Sequence, residues 1–282
     1  MAEKSSYDLT GGKPHPFHLV HPSIWPLAGA FAAGLLAVGA VLYMHGVKIG
    51  TFEIGMKGLL LGFAAVLAVM WFWWRDVIRE AVVEKAHTPI TRIGFRYGMA
   101  LFISSEVMFF VAFFWAFFNA SLFPTDAIGG IWPPANIEII DAFGLPFLMT
   151  MVLLLSGCTV TWAHHAILED KQQEAVKALA ITVGLGILFT CIQAYEYHHS
   201  TFPFKDSIYA SAFYMATGFH GFHVLVGTIF LCVCLFRARK GHFTAKSHFG
   251  FEAAAWYWHF VDVVWLFLFA SIYWWGNAGA PH

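Results

Sequence analysis

The sequence predicts an all-α integral membrane protein with seven transmembrane helices. Of its 282 residues, 59% are hydrophobic and only 12% are charged, whereas soluble domains carry about 25% charged residues. Because so few charges cannot cover a surface in water, the chain is expected to lie in a bilayer. The apolar runs lack the alternation of a barrel strand, and a helix is the other structure that satisfies its backbone in lipid.

Each span needs roughly 20 mostly apolar residues, and seven runs of this length follow one another along the chain. They are Ile24–His45, Ile54–Trp74, Phe95–Phe118, Phe143–His165, Ala175–Tyr197, Tyr209–Phe236 and Ala253–Trp275. Residues 1–23 are polar and are expected to form a cytoplasmic tail. The membrane domain then covers residues 24–282, with helices 1 and 2 in 24–74 and helices 3 to 7 in 95–275.

Basic residues in the loops predict the orientation of these helices. If the N-terminus is cytoplasmic, only Lys48, Lys57 and Lys205 of the 16 Lys and Arg residues lie on the opposite side. We therefore expect a multi-pass protein of the bacterial cell inner membrane, with a cytoplasmic N-terminus and a periplasmic C-terminus. The net charge of −1 gives no broad basic field, so no nucleic-acid partner is expected.

Glu106 is the most informative polar residue, because it lies near the middle of the third predicted span. An ionised carboxylate at that depth costs roughly 2.5–3.5 kcal/mol on insertion scales. Two interpretations follow. The side chain is either a neutral carboxyl that is hydrogen-bonded within the bundle, or a carboxyl that exchanges protons or contacts a lipid headgroup.

Histidines and basic residues supply the remaining candidates. His259 and Asp262, three residues apart on the seventh predicted helix, indicate a structural polar pair. The spacing of the His and Cys residues singles out no heme or copper site, so we assign no metal ligand and no catalytic residue. Basic residues at the cytoplasmic helix ends either bind lipid phosphates or reflect the orientation rule alone.

Strings spread over residues 20–277 resemble subunit III of the aa3-type cytochrome c oxidases, a family of the heme-copper oxidases. The matching strings are residues 73–80 (WWRDVIRE), 96–99 (RYGM), 105–110 (SEVMFF), 114–118 (FWAFF), 156–165 (SGCTVTWAHH), 216–224 (ATGFHGFHV), 248–253 (HFGFEA) and 256–265 (WYWHFVDVVW). The tail before them matches no pattern and is assigned no function.

The resemblance implies a non-redox core subunit of a proton-pumping oxidase that takes electrons from cytochrome c. Heme a and copper are then expected in partner subunits and not in this chain. The chain would be part of an enzyme only as a subunit that packs on subunit I, supports proton uptake and stabilises the complex during turnover.

The resemblance also implies bound phospholipid. The first two helices would be separated from the other five by a V-shaped cleft that lipid fills. Headgroup contacts would fall on Trp74, His87, Glu106, His223 and Arg237, and Glu106 stands at the position of the carboxylate that reacts with carbodiimides in this family.

Two other functions stay open at this stage. Subunit III of a quinol oxidase from the same superfamily typically lacks the first two helices, and the spans Ile24–His45 and Ile54–Trp74 argue against it. A proton-coupled transporter would need several charges along a path through the membrane. Besides Glu106, Asp262 is the acidic residue that lies well inside a predicted span.

Overall fold

The computed structural model describes residues 22–49, 52–135 and 137–278. Over these residues it contains seven helices that are long and apolar enough to cross a membrane, which confirms the predicted class and number of spans. Most of the predicted tail lies outside the described residues. The chain divides into two compact units, Met1–Gly94 and Phe95–His282. That a lipid-filled cleft separates the first two helices from the others stays a prediction.

The first unit is a pair of antiparallel helices, α1 (Trp25–Met44) and α2 (Ile54–Val82). A short hairpin connects them, formed by β1 (Lys48–Ile49) and β2 (Phe52–Glu53). At the start of α1, the indole Nε1 of Trp25 donates a hydrogen bond of 2.7 Å to Asp76 Oδ2. This bond fixes the start of α1 to the far end of α2.

Glycines let the backbones of α1 and α2 touch. A Cβ atom at Gly39 would lie 2.5 Å from the carbonyl carbon of Gly58, and one at Gly62 would overlap Leu36 Cα. Small residues allow such close approach in membranes, where van der Waals packing rather than the hydrophobic effect holds helices together. Glycine at these positions therefore allows α1 and α2 to pack with their backbones in contact.

The second unit contains the other helices. They are α3 (Pro89–Leu122), whose first turn belongs to the first unit, α4 (Leu145–Leu168), α5 (Gln172–His199), α6 (Ile208–Arg239) and α7 (Phe249–Leu268), which continues as a π-helix (Phe269–Trp274) and a 3-10 turn (Trp275–Asn277). Two bounds differ clearly from the prediction. α2 ends at Val82 rather than Trp74, and α3 begins at Pro89 rather than Phe95, because intrahelical hydrogen bonds continue into the polar interface where hydropathy no longer marks the helix.

Trp258 on α7 forms the centre of this unit and is fully buried. A Cβ atom at Gly186 on α5 or at Gly227 on α6 would each lie 2.9 Å from its ring, so both glycines make room for the indole. Its Nε1 donates a 2.8 Å hydrogen bond to Ser156 Oγ on α4. One side chain thus joins four helices and holds the scaffold that positions the polar residues described next.

Candidate functional site

Glu106 on α3 and His223 on α6 form a hydrogen-bonded pair, with 3.0 Å between Glu106 Oε2 and His223 Nε2. His223 Nδ1 lies 2.7 Å from the carbonyl oxygen of Phe219. Because a carbonyl oxygen only accepts, Nδ1 carries a proton and Nε2 of a neutral ring is an acceptor. The pair therefore shares one proton: either the Glu106 hydroxyl donates to Nε2, or an imidazolium donates to the carboxylate.

Both arrangements of this proton are electrically neutral overall, which reduces the cost of placing the pair in a membrane span. Aromatic rings surround the imidazole, and those of Phe110 and Tyr257 lie 5.0 and 6.2 Å from it between centroids. The Glu106 side chain is 22% exposed, against 8% for His223. Glu106 thus has a hydrogen-bond partner within the bundle, as the first of the two interpretations requires, and its carboxyl is still partly exposed at the surface.

Arg237, near the end of α6, is a half-buried cation. Its guanidinium carbon lies 4.5 Å from the ring centre of Phe243, and its Nη1 packs against Gly250. Its Nε is buried and has no hydrogen-bond acceptor among the described residues, and their carboxylates form ion pairs with other basic residues. A buried charge without a counterion is costly, so the position favours an anionic ligand.

The surroundings of Arg237 are also cationic. Arg239 and Lys240 follow it at the end of α6 and are exposed. In the loop beyond, burial, together with the charges of Arg237 and Lys240, lowers the pKa of His242 below its ordinary value. The imidazole therefore stays neutral at pH 7, and the positive charge of this surface comes from the arginines and the lysine.

The five predicted lipid contacts are divided between the two units. Trp74 and His87 belong to the first unit, where Trp74 is exposed. In the second unit, Glu106 and His223 lie together. Arg237 follows His223 by 14 residues on the same helix, which corresponds to about 21 Å along the axis. A headgroup held at Arg237 would therefore send its acyl chains, rather than its phosphate, toward Glu106.

His259 and Asp262 on α7 lie 3.7 Å apart, between Nδ1 and Oδ2, which is longer than a hydrogen bond. His259 Nε2 lies 3.2 Å from the hydroxyl of Thr161 on α4. Gly157 makes room for the carboxylate, since a Cβ atom there would overlap Asp262 Oδ2. That this pair has a purely structural role stays a prediction.

Two polar pairs between helices were missed from the sequence. Arg96 on α3 binds Glu252 on α7 through Nε and Nη2 at 3.0 to 3.1 Å, in the forked geometry typical of strong Arg–carboxylate pairs. Tyr273 donates a 2.7 Å hydrogen bond to the buried Glu196 on α5. Partners 156 and 77 residues apart leave no local pattern, so spacing could not have found either pair.

Within residues 22–49, 52–135 and 137–278, no group of three or more His, Cys, Asp or Glu side chains could hold a metal ion. The polar residues of the second unit form pairs, and those of Glu106 with His223, Arg96 with Glu252 and Glu196 with Tyr273 join different helices. Their chemistry is hydrogen bonding, proton sharing and, at Arg237, attraction of an anion.

The shared proton makes a prediction about reactivity. A hydrophobic carbodiimide reacts with a protonated carboxyl, so in the purified protein we expect labelling to concentrate on Glu106 and to disappear in Glu106→Gln. His223→Leu should keep the label, because the proton then has no other holder in the pair. Peptide mass spectrometry measures both results, and labelling of Asp262 in place of Glu106 would contradict this assignment.

In the oxidase that the resemblance implies, the same Glu106→Gln variant should keep most oxygen reduction and proton pumping. Gln is nearly the same size and its amide can donate to His223 Nε2, so the helix contact survives. A proton-to-electron ratio near that of the unchanged complex in vesicles is the expected result. Loss of pumping with normal assembly would show that Glu106 relays pumped protons.

Comparison with known proteins places these residues in a family. Residues 15–277 match the family model described as Cytochrome c oxidase subunit III. The chain is 58% identical over 269 residues to Cytochrome c oxidase subunit 3 of Marchantia polymorpha, which covers 95% of this chain and 100% of the relative. It is 56% identical over 263 residues to that of Arabidopsis thaliana, covering 93% and 97%.

A third relative, Cytochrome c oxidase subunit 3 of Branchiostoma lanceolatum, is 55% identical over 269 residues and covers 95% of this chain and 100% of the relative. These names favour the cytochrome c oxidases over the quinol oxidases, and a subunit of an oxidoreductase complex over a transporter. The chain belongs to the cytochrome c oxidase subunit III family.

Proposed function

We propose that the chain is a support subunit of its oxidase and carries no electron itself. Heme a and copper lie in partner subunits, cytochrome c donates electrons to the complex, and this chain packs on subunit I. It binds phospholipid, supports proton uptake and keeps the complex active during turnover. Membership of the family and the neutral polar pairs of the second unit support this proposal.

The observation that carries the lipid-binding part is Arg237, a half-buried guanidinium whose Nε is buried and which has no carboxylate partner among the described residues. It lies at the end of a span, where lipid phosphates are found, and arginine binds phosphate through two parallel hydrogen bonds. Glu106 and His223 would contact lipid deeper in the same unit. In the first unit, Trp74 and His87 are the proposed contacts, since both follow the apolar part of α2.

Replacing Arg237 tests lipid binding directly. In Arg237→Ala we expect the purified complex to lose at least one phospholipid per complex while its heme a content stays unchanged, because the anion loses its buried counterion. Quantitative mass spectrometry of extracted lipid measures the loss. Arg239→Ala is the matched control: it removes the same charge two residues away from an exposed position and should retain the lipid.

Two outcomes would contradict this assignment. If Arg237→Ala and Arg239→Ala lose equal amounts of phospholipid, the general positive charge of the helix end binds lipid and the buried site does not. If neither variant loses lipid, Arg237 contacts another group, such as a carboxylate of a partner subunit.

The orientation is proposed from the loops, with the N-terminus on the side that carries most of the Lys and Arg residues. A reporter fused to the C-terminus should then be active on the opposite side. The relatives come from plants, algae and animals and give no support to the bacterial inner membrane of the sequence prediction. For the localisation, we therefore propose only that the chain is a multi-pass membrane protein with this orientation.

A further inference from the structure

The end of the chain beyond α7 is attached to the bundle by hydrogen bonds from side chains. Residues 269–277 form the π-helix and the 3-10 turn. Tyr209 on α6 donates a 2.8 Å hydrogen bond to Asn277 Oδ1, and Tyr273 donates the 2.7 Å bond to Glu196 Oε1 on α5. Phenols and amides are neutral at pH 7. Of these two bonds, the one to Glu196 is therefore the one whose partner can gain or lose a charge.

Glu196 is a buried carboxyl that lacks a cation. It lies in the last turn of α5 and is 4% exposed. Its Oε2 is buried and has no hydrogen-bond partner in the part of the chain that the structure describes. The ion pairs among the described residues are formed by other carboxylates. The titratable groups that interact with it are the phenols of Tyr197, Tyr209 and Tyr273, from α5, α6 and the π-helix.

These surroundings favour a carboxyl that carries a proton. An ionised carboxylate accepts hydrogen bonds on both oxygens, whereas at Glu196 one oxygen alone has a donor among the described residues. A buried charge with neither a cation nor complete hydrogen bonding is costly. A protonated carboxyl avoids this cost, and its carbonyl oxygen still accepts from Tyr273. The bond thus joins α5 to a π-helix, a rare element that is frequent at functional sites.

We propose that Glu196 is a proton-binding site that controls how residues 269–277 pack on the bundle. While the proton is bound, the carboxyl is neutral and Tyr273 stays in place. When the proton leaves at alkaline pH, the buried carboxylate needs water, and water reaches it only if Tyr273 and the π-helix move away from α5. The inference does not depend on the proposed function, since these residues all lie within the second unit.

Hydrogen–deuterium exchange of the purified full-length protein in micelles tests this site. The unchanged protein and Glu196→Gln are compared with each other at pH 6 and at pH 9, so the intrinsic effect of pH on amide exchange cancels. Gln is neutral at both, and its carbonyl can accept from Tyr273. We expect equal exchange of residues 269–277 at pH 6 and at least threefold faster exchange in the unchanged protein at pH 9. Peptide mass spectrometry measures both results.

Two further variants and one spectrum complete the test. Asp206→Asn is the matched control, because it removes an exposed carboxylate from the loop that follows α5 and should keep the pH response. Tyr273→Phe keeps the ring but removes the hydrogen bond, so it should speed the exchange of residues 269–277 already at pH 6. The infrared spectrum at pH 6 should contain the carbonyl stretch of a protonated carboxyl that Glu196→Gln lacks.

Several results would overturn the inference. Equal exchange of the unchanged protein and Glu196→Gln at pH 9 would show that Glu196 does not control the packing of residues 269–277. An infrared spectrum in which Glu196 is ionised at pH 6 would show that it binds no proton there. If Asp206→Asn also abolishes the pH response, the surface charge is responsible and the buried carboxyl is not. Normal exchange in Tyr273→Phe at pH 6 would show that the bond to Glu196 does not hold the π-helix.

Discussion

Gly39→Ala should destabilise the first unit by about 1–3 kcal/mol, the usual cost of forcing an extra carbon into a packed contact. The new Cβ atom would lie 2.5 Å from backbone atoms of Gly58 and Leu59, which cannot rotate away as a side chain can. The helices would have to separate along their length. Van der Waals contact between the backbones, the main attraction between helices in lipid, would then be lost.

Gly34→Ala on the same helix is the matched control. No described atom lies within 4 Å of a Cβ placed there, and alanine is the better helix former. We therefore expect no destabilisation. The measurement is the unfolding midpoint of the purified chain in mixed micelles titrated with sodium dodecyl sulfate, followed by circular dichroism. Equal midpoints for the two variants would show that α1 and α2 are not held by glycine contacts.

Trp258→Ala should have the largest effect on the second unit, with a loss of about 3–5 kcal/mol. The substitution empties the space between Gly186 and Gly227, where no neighbouring Cβ can fill it, and removes the donor to Ser156. Four helices would lose their common contact. The same titration should show an early unfolding step, and little of the variant should be recovered with heme-bearing subunits.

Two further variants are compared with Trp258→Ala: one separates packing from hydrogen bonding at this position, and the other is a control at an exposed tryptophan. Trp258→Phe keeps much of the ring and should cost less than half as much as Trp258→Ala. Trp71→Ala removes an indole that is 71% exposed and should leave the unfolding midpoint nearly unchanged. If all three variants unfold alike, the buried tryptophan does not organise the second unit.

Hydropathy and charge predict the seven helices because the bilayer imposes one length and one composition on every span. They do not predict the ends of α2 and α3, since a helix that leaves the hydrocarbon continues with polar residues. Hydropathy and charge also do not predict which helices contact each other. The spacing Gly58-x-x-x-Gly62 is nevertheless a sequence signal for the α1–α2 contact, because small residues four apart are typical of close helix pairs.

In the candidate site, too, the sequence shows single residues but not the contacts between them. Glu106 is evident from the sequence, because a carboxyl in mid-span is costly wherever it points. Its partner His223 lies 117 residues away, and only the packing of α3 against α6 brings the two together. That Arg237 lacks a carboxylate partner likewise depends on which residues pack around it in the folded chain. The family resemblance singled out His223 and Arg237 as candidate lipid contacts. The proton shared by Glu106 and His223, and the missing counterion of Arg237, are evident only from the structure.

We propose that this chain supports the oxidase without carrying its electrons. The most direct test is oxygen uptake by the purified complex, with and without this chain, using reduced cytochrome c and following activity over many turnovers. We expect the depleted complex to keep its heme a spectrum and most of its initial rate, and then to lose activity several times faster. Loss of heme a with the chain, or equal lifetimes of the two complexes, would contradict the account.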